Sequence, residues 1–261
     1  MTPSQRHPWL RPVAVAVHRT RRRLTWWRAH CDWATDRSPG LPLSTRVARH
    51  DSLLLRELAG TDPALQHGKV ANLRLAAPYV DGLVLRPGQT FSFNRTVGSC
   101  SRRRGYVDGL RLSDGRPVPG VGGGVCQLAN LLHWLVLHSP LTVVERSEHS
   151  VDAFPDSGRV VPWGVGCTIV YNYVDLVVRN DTGTTFQLGV RVGERYLHGE
   201  LRADRELAHG YRVEARGEEF VSLDGVLHRR NEIWRTATDR RTGAQLDELV
   251  RRNCARVAYG V

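Results

Sequence analysis

The chain has 261 residues, 41% of them hydrophobic and 24% charged. This gives room for a buried core in one or two domains, and it excludes wholesale disorder and a collagen-like repeat. The net charge of +11 is unevenly held: residues 1–50 carry ten arginines against Asp32 and Asp36, so +8 lies there.

Residues 1–40 stand apart as a basic segment. Trp9, Trp26, Trp27 and Trp33 are interleaved with Arg6, Arg11, Arg19, Arg21, Arg22, Arg23 and Arg28. The pattern predicts a helix from about Val13 to Trp33. Three readings are open for it. It packs its tryptophans on the main domain and solvates its arginines, it lies on an anionic membrane surface, or it contacts nucleic acid. The last is disfavoured because the rest of the chain offers no obvious basic face. The apolar stretch Val13–Val17 is too short for a secretory signal. The longest nearly apolar run, Leu131 to Leu137, is far below the roughly 18–20 residues of a membrane span. Cytoplasmic residence, peripheral on the inner membrane face, is the expectation.

Ser38-Pro39-Gly40-Leu41-Pro42 breaks the chain. Gln66 to Val80 reads as a helix, with Val70, Leu73, Ala77 and Val80 at spacings of three and four. Leu83–Leu85 reads as a strand, Arg86–Gln89 as a turn, and Phe91 and Phe93 as the buried side of another strand. From Thr168 onward the pattern is β. Strands are expected at 168–171 and 176–178, then a hairpin of Phe186–Val192 with Arg195–Leu201. A meander follows at 211–215, 219–222, 227–237 and 256–259. Asp239–Gly243 suits a hairpin loop. The expectation is an α+β fold, mostly antiparallel sheet with a few helices, divided as 1–40, 41–202 and a C-terminal β-meander over 203–261.

The chemistry is concentrated between Pro119 and Pro140. Gly120, Gly122, Gly123 and Gly124 form a loop of unusual backbone freedom. A helix begins at once, with Leu128, Leu131, Leu132, Leu135 and Val136 on one face. Cys126 therefore sits in or just before its first turn. Helix-start amides and the helix dipole favour a thiolate, and the same amides with those of the glycines suit a developing oxyanion. The alternative is a small buried cysteine at a tight helix start. A nucleophilic cysteine needs a base. His133 and His138 lie seven and twelve residues along the same helix, His133 about 10 Å away by the 1.5 Å rise, and neither reaches the thiol easily. His149 lies on Val143–Ser150, which can run back toward the helix start. Phosphate-binding and metal-ligand spacings are missing. The five cysteines, at 31, 100, 126, 167 and 254, are too scattered for a zinc ribbon and read as free thiols. No cofactor and no metal is expected.

The run Gly122-Gly123-Gly124-Val125-Cys126-Gln127-Leu128-Ala129-Asn130, with Glu145-Arg146-Ser147-Glu148-His149-Ser150, resembles the signature of the VanW family. Lys69–Ala76, Pro87–Asn94, Gly105-Tyr106, Val174–Leu176 and Asn180–Thr182 agree with it in order. The resemblance runs from about residue 43 to 202. It implies an association with glycopeptide resistance and the cell wall. Membrane-anchored relatives are similar to cysteine L,D-transpeptidases, which puts nucleophile and base on Cys126 and His149. Gly122, Gly123, Gly124 and Gln127 would then hold or orient a peptidoglycan stem peptide or precursor. Arg146 is a candidate substrate clamp, or else an ion-pair partner of Glu145 or Glu148. Lys69, the chain's only lysine, is a candidate point contact to a substrate carboxylate, or else a chance codon. No export signal or anchor is legible, unlike in those relatives. A non-catalytic accessory protein at the inner membrane face is the second expectation.

Overall fold

The computed structural model describes residues 11–28, 31–55, 61–113, 116–147, 151–153, 155 and 160–259. The fold is α+β. Helix α1 (Arg11–Arg28) precedes strand β1 (Thr45–Leu53) and helix α2 (Pro63–Val80). Strands β2 (Leu83–Leu85) and β3 (Thr90–Ser92) follow, then the short helix α3 (Phe93–Val97) and the hairpin β4 (Asp108–Ser113) and β5 (Arg116–Val121). Helix α4 (Cys126–Leu137) leads to β6 (Thr142–Glu145), β7 (Val151–Asp152), β8 (Val177–Arg179), β9 (Phe186–Val192) and β10 (Tyr196–Ala203). The last three strands are β11 (His209–Leu223), β12 (Val226–Asp239) and β13 (Gln245–Val257).

One antiparallel sheet has the order β1-β10-β9-β2, and a smaller one the order β3-β8-β6. Helix α4 buries Leu128, Leu131, Leu132, Leu135 and Val136 in the main core, the face its periodicity anticipates. Gly199 on β10 makes room for it, since a Cβ there would stand 2.7 Å from Leu131. Helix α2 starts where Asp62 accepts from the Ala64 amide with Pro63 behind it, a cap that favours helix initiation. It ends at Asp81 and Gly82, the latter at φ +74°.

The third sheet, β11-β12-β13-β7, is built from long C-terminal strands, with β7 added in parallel to β13. The strand expected at 256–259 is the end of a longer one that begins at Gln245. The strands expected at 211–215 and 219–222 are one strand, with a register shift between Arg216 and Glu219. Gly217 at φ +62° lies in that irregularity, and it looks like a terminator in sequence.

Three further expectations are corrected. Helix α1 stops at Arg28, and Trp33 forms a bridge with Thr90. Phe93 is not on a strand: it opens α3, where the flanking Ser92 and Asn94 are buried and both bond Asp175. Residues 168–171 form no strand: they are irregular, with a single bridge from Val170 to Val174, and they line a cavity.

Candidate functional site

A cavity of about 1240 Å³ lies between the glycine loop, the start of α4, the β1 end and the loop of residues 160–171. Lys69, Gly122, Gly123, Gly124, Cys126 and Gln127 all line it. The structure therefore brings six of the sequence-derived residues to one cavity. Arg146 stands behind its wall, and His149 lies outside the described residues.

The loop grows out of the β4–β5 hairpin, neither strand of which the sequence disclosed. Its glycines admit close neighbours rather than merely bending the chain. A Cβ on Gly122 would stand 2.4 Å from Cys100 Cβ, one on Gly123 2.1 Å from Gly109 O, and one on Gly124 1.9 Å from Lys69 Cγ. Gly122 and Gly124 also lie at φ +73° and +89°, where side chains are disfavoured. Asn72, one turn along α2 from Lys69, ties the loop down. Its Nδ2 donates to Val107 O (3.0 Å) and Gly123 O (2.9 Å), and its Oδ1 accepts from Val107 N (2.9 Å). The signal for Asn72 was an amide set on the apolar side of a helix.

These contacts limit the oxyanion role expected of the glycines. The Gly122 amide donates to Val107 O at 3.0 Å and the Gly123 amide to Gly120 O at 2.8 Å, so both already have partners. Donors at the sulfur come instead from the Cys126 amide and from the Gln127 amide, which is shared with Gly124 O at 3.0 Å.

Cys126 is half-buried, and its thiol titrates above its ordinary value, contrary to the depression its helix-start position suggested. Burial is the largest cause; the charge of Lys69 and the two amides pull the other way without overcoming it. In the free protein the group is a thiol at neutral pH. Lys69 is itself buried, so the site contains a cation held beside the sulfur.

The same face of α4 continues through Asn130 and His133. Asn130 Oδ1 accepts from the Cys167 amide at 2.6 Å, and His133 Nδ1 bonds Val165 O at 2.8 Å. Burial and the Arg146 charge push His133 down to about 3. It is a neutral structural donor, in keeping with its distance from Cys126. Arg146 donates to Gly164 O and, at 2.8 and 3.0 Å, to Gly166 O. Glu145 pairs instead with Arg22, at 2.5 Å. Arg146 thus secures the loop that walls the cavity. Gln127 is similarly engaged, its Nε2 donating to Ser52 Oγ (2.8 Å) and Leu53 O (2.9 Å).

The chain on either side of His149 is fixed. Ser147 O accepts from the amide of Thr168, a cavity residue, at 2.7 Å. Val151 and Asp152 pair with Arg256 and Val257 of β13. Buried Asp152 accepts from Arg229 at 3.3 Å and from Tyr259 at 2.8 Å.

An α+β domain with a cysteine at a helix start in a glycine-loop cavity is what the geometry defines, and the comparisons with known proteins give its family. The family model described as VanW like protein matches residues 68–202. The chain is 35% identical over 210 residues, 80% of its length and 76% of the relative's, to the vancomycin B-type resistance protein VanW of Enterococcus faecalis. It is 39% identical over 97 residues, 36% of its length and 32% of the relative's, to the uncharacterized protein YoaR of Bacillus subtilis. No solved structure matches. The chain belongs to the VanW family.

Proposed function

We propose that this VanW-like protein serves glycopeptide resistance as a cysteine acyltransferase of the L,D-transpeptidase type, acting on a peptidoglycan stem peptide or its precursor. The observation that carries the reading is the placement of Cys126: at the first residue of α4, on the wall of a roomy cavity, with the chain's only lysine buried beside it. Because the resting thiol is protonated, attack needs a base. We assign that role to His149, which lies in sequence between Ser147, whose carbonyl bonds the cavity residue Thr168, and Val151 on β7.

In this reaction the thiol proton passes to the imidazole as the sulfur bonds the peptide carbonyl carbon. The carbonyl oxygen gains the electron pair and is held by the Cys126 amide. The C–N bond then breaks, and the amine leaves with the imidazole proton. An acceptor amine attacks the thioester and restores the thiol. Lys69 favours the anionic sulfur and receives a substrate carboxylate.

The second reading, a non-catalytic accessory protein that binds a precursor, is favoured by the raised thiol and by the committed Gly122 and Gly123 amides. The test is exchange of a labelled D-amino acid into a synthetic stem peptide, followed by mass spectrometry. Exchange by the full chain, lost in Cys126→Ala and His149→Ala, supports the enzyme. Peptide binding that survives Cys126→Ala with no exchange at any pH supports the binder.

A further inference from the structure

Among the described residues, helix α1 meets the domain along one face. Arg22 bonds Glu145 at 2.5 Å and lies 3.5 Å from Asp175. Arg19 sits over the Tyr171 ring at 5.5 Å, and Trp26 meets Trp33 edge-on at 6.1 Å. Arg95 is stacked on both tryptophans, at 5.3 and 4.5 Å. Arg19, Arg22 and Trp26 follow the three-and-four spacing of a single helix face.

The opposite face is apolar and bare. Val13, Val17, Thr20, Leu24 and Trp27 recur at spacings of four, three, four and three, so they form one stripe at 100° per residue. All five are exposed, Trp27 to 76% and Leu24 to 45%. Exposed Arg21 and Arg28 flank the stripe on one side and exposed Arg23 on the other. The helix has no acidic residue.

We infer that the outer face of α1 docks on an anionic phospholipid surface, with the Val13–Trp27 stripe among the acyl chains and Arg21, Arg23 and Arg28 in the headgroups. An apolar stripe edged by cations and carrying an interfacial tryptophan is the pattern such surfaces bind. Each arginine near an anionic leaflet strengthens binding about fivefold. The charge distribution disfavours a second copy on this stripe, because both helices would present arginine rows to one another. Nucleic acid would use the arginines but leave Val13, Val17 and Leu24 without a role. The helix is too polar to cross: no helix among the described residues is long and apolar enough to span a membrane.

The inference goes beyond the acyl-transfer reading and is independent of it. Arg19, on the inner face of the same helix, lines the Cys126 cavity, so docking would hold that cavity one helix diameter, roughly 10 Å, from the lipid surface.

The experiment uses the full chain and sedimentation with vesicles of phosphatidylglycerol and phosphatidylcholine, alongside vesicles of phosphatidylcholine alone. We expect binding to the anionic vesicles only, with a blue shift of tryptophan emission. Leu24→Glu with Trp27→Glu should weaken it by at least about tenfold, from lost apolar burial. The triple change of Arg21, Arg23 and Arg28 to Gln should weaken it similarly and remove its salt dependence. These side chains are exposed, so both variants should retain the parent's melting temperature. No binding by the parent, equal binding to neutral vesicles, or undiminished binding by the Leu24/Trp27 variant overturns the inference. So does binding to RNA with none to vesicles.

Discussion

The aliphatic stem of Lys69 lies across the face of Gly124, closely enough that a Cβ on the glycine would stand 1.9 Å from Lys69 Cγ. Two segments far apart in sequence thus share one cavity wall. The glycine of the Gly-Gly-Gly-Val-Cys run serves the lysine as much as the cysteine.

Gly124→Ala therefore meets both a backbone at φ +89° and a buried neighbour. Strain of this kind plus overpacking should cost about 2–4 kcal/mol. Urea unfolding should show the midpoint falling at unchanged slope. A midpoint within error of the parent's would mean that Lys69 can move aside freely.

Lys69→Met keeps the stem and removes the charge. The charge pulls the Cys126 thiol down against burial, so its loss should push the thiol higher still. Alkylation of Cys126 by iodoacetamide at pH 8 should then slow about tenfold, in proportion to the thiolate fraction. In the parent, Cys126 should label more slowly than exposed Cys254 at neutral pH. An unchanged rate in Lys69→Met would place the ammonium away from the sulfur.

The helical half of the site was legible because its signals are local. The apolar period of 128–136 fixed α4, and Cys126 at its start followed from the glycines. The raised thiol was not legible, since helix-start chemistry and burial oppose one another. Burial comes from the loop of residues 160–171, which has no periodic signature. Gln127 and Arg146 looked free for substrate because their partners, Ser52 and the Gly164 and Gly166 carbonyls, lie at long range. A helix packing its tryptophans on the domain holds for Trp26 only, because helix geometry sends Trp26 inward and Trp27 outward.

His133 carries a pH dependence. Its folded value, about 3, lies below its ordinary 6.5. The stability it contributes is present above pH 6.5 and is lost as pH falls toward 3. The slope approaches about 1.4 kcal/mol per pH unit for one proton. Comparing urea unfolding at pH 7.5, 6 and 5 should show this slope, and His133→Asn, whose amide can still donate to Val165 O, should flatten it. Identical slopes would remove His133 from the account.

Asp152→Asn weakens the buried contact with Arg229 and the anchor of β7. Glu218 still faces Arg229 at 2.6 Å, so the loss should be about 2–3 kcal/mol, below that of a fully unpaired buried charge. Protection of the 151–152 amides in hydrogen exchange should fall in parallel. Full protection would show that strand pairing with β13 alone fixes this segment.

The most direct measurement is intact-protein mass spectrometry after mixing the full chain with a stem peptide and quenching in acid. The account expects a mass gain equal to the acyl fragment, mapped by digestion to Cys126 and released by hydroxylamine. Failure to trap an adduct on Cys126 across pH 6 to 9, in protein shown to bind the peptide, would contradict it.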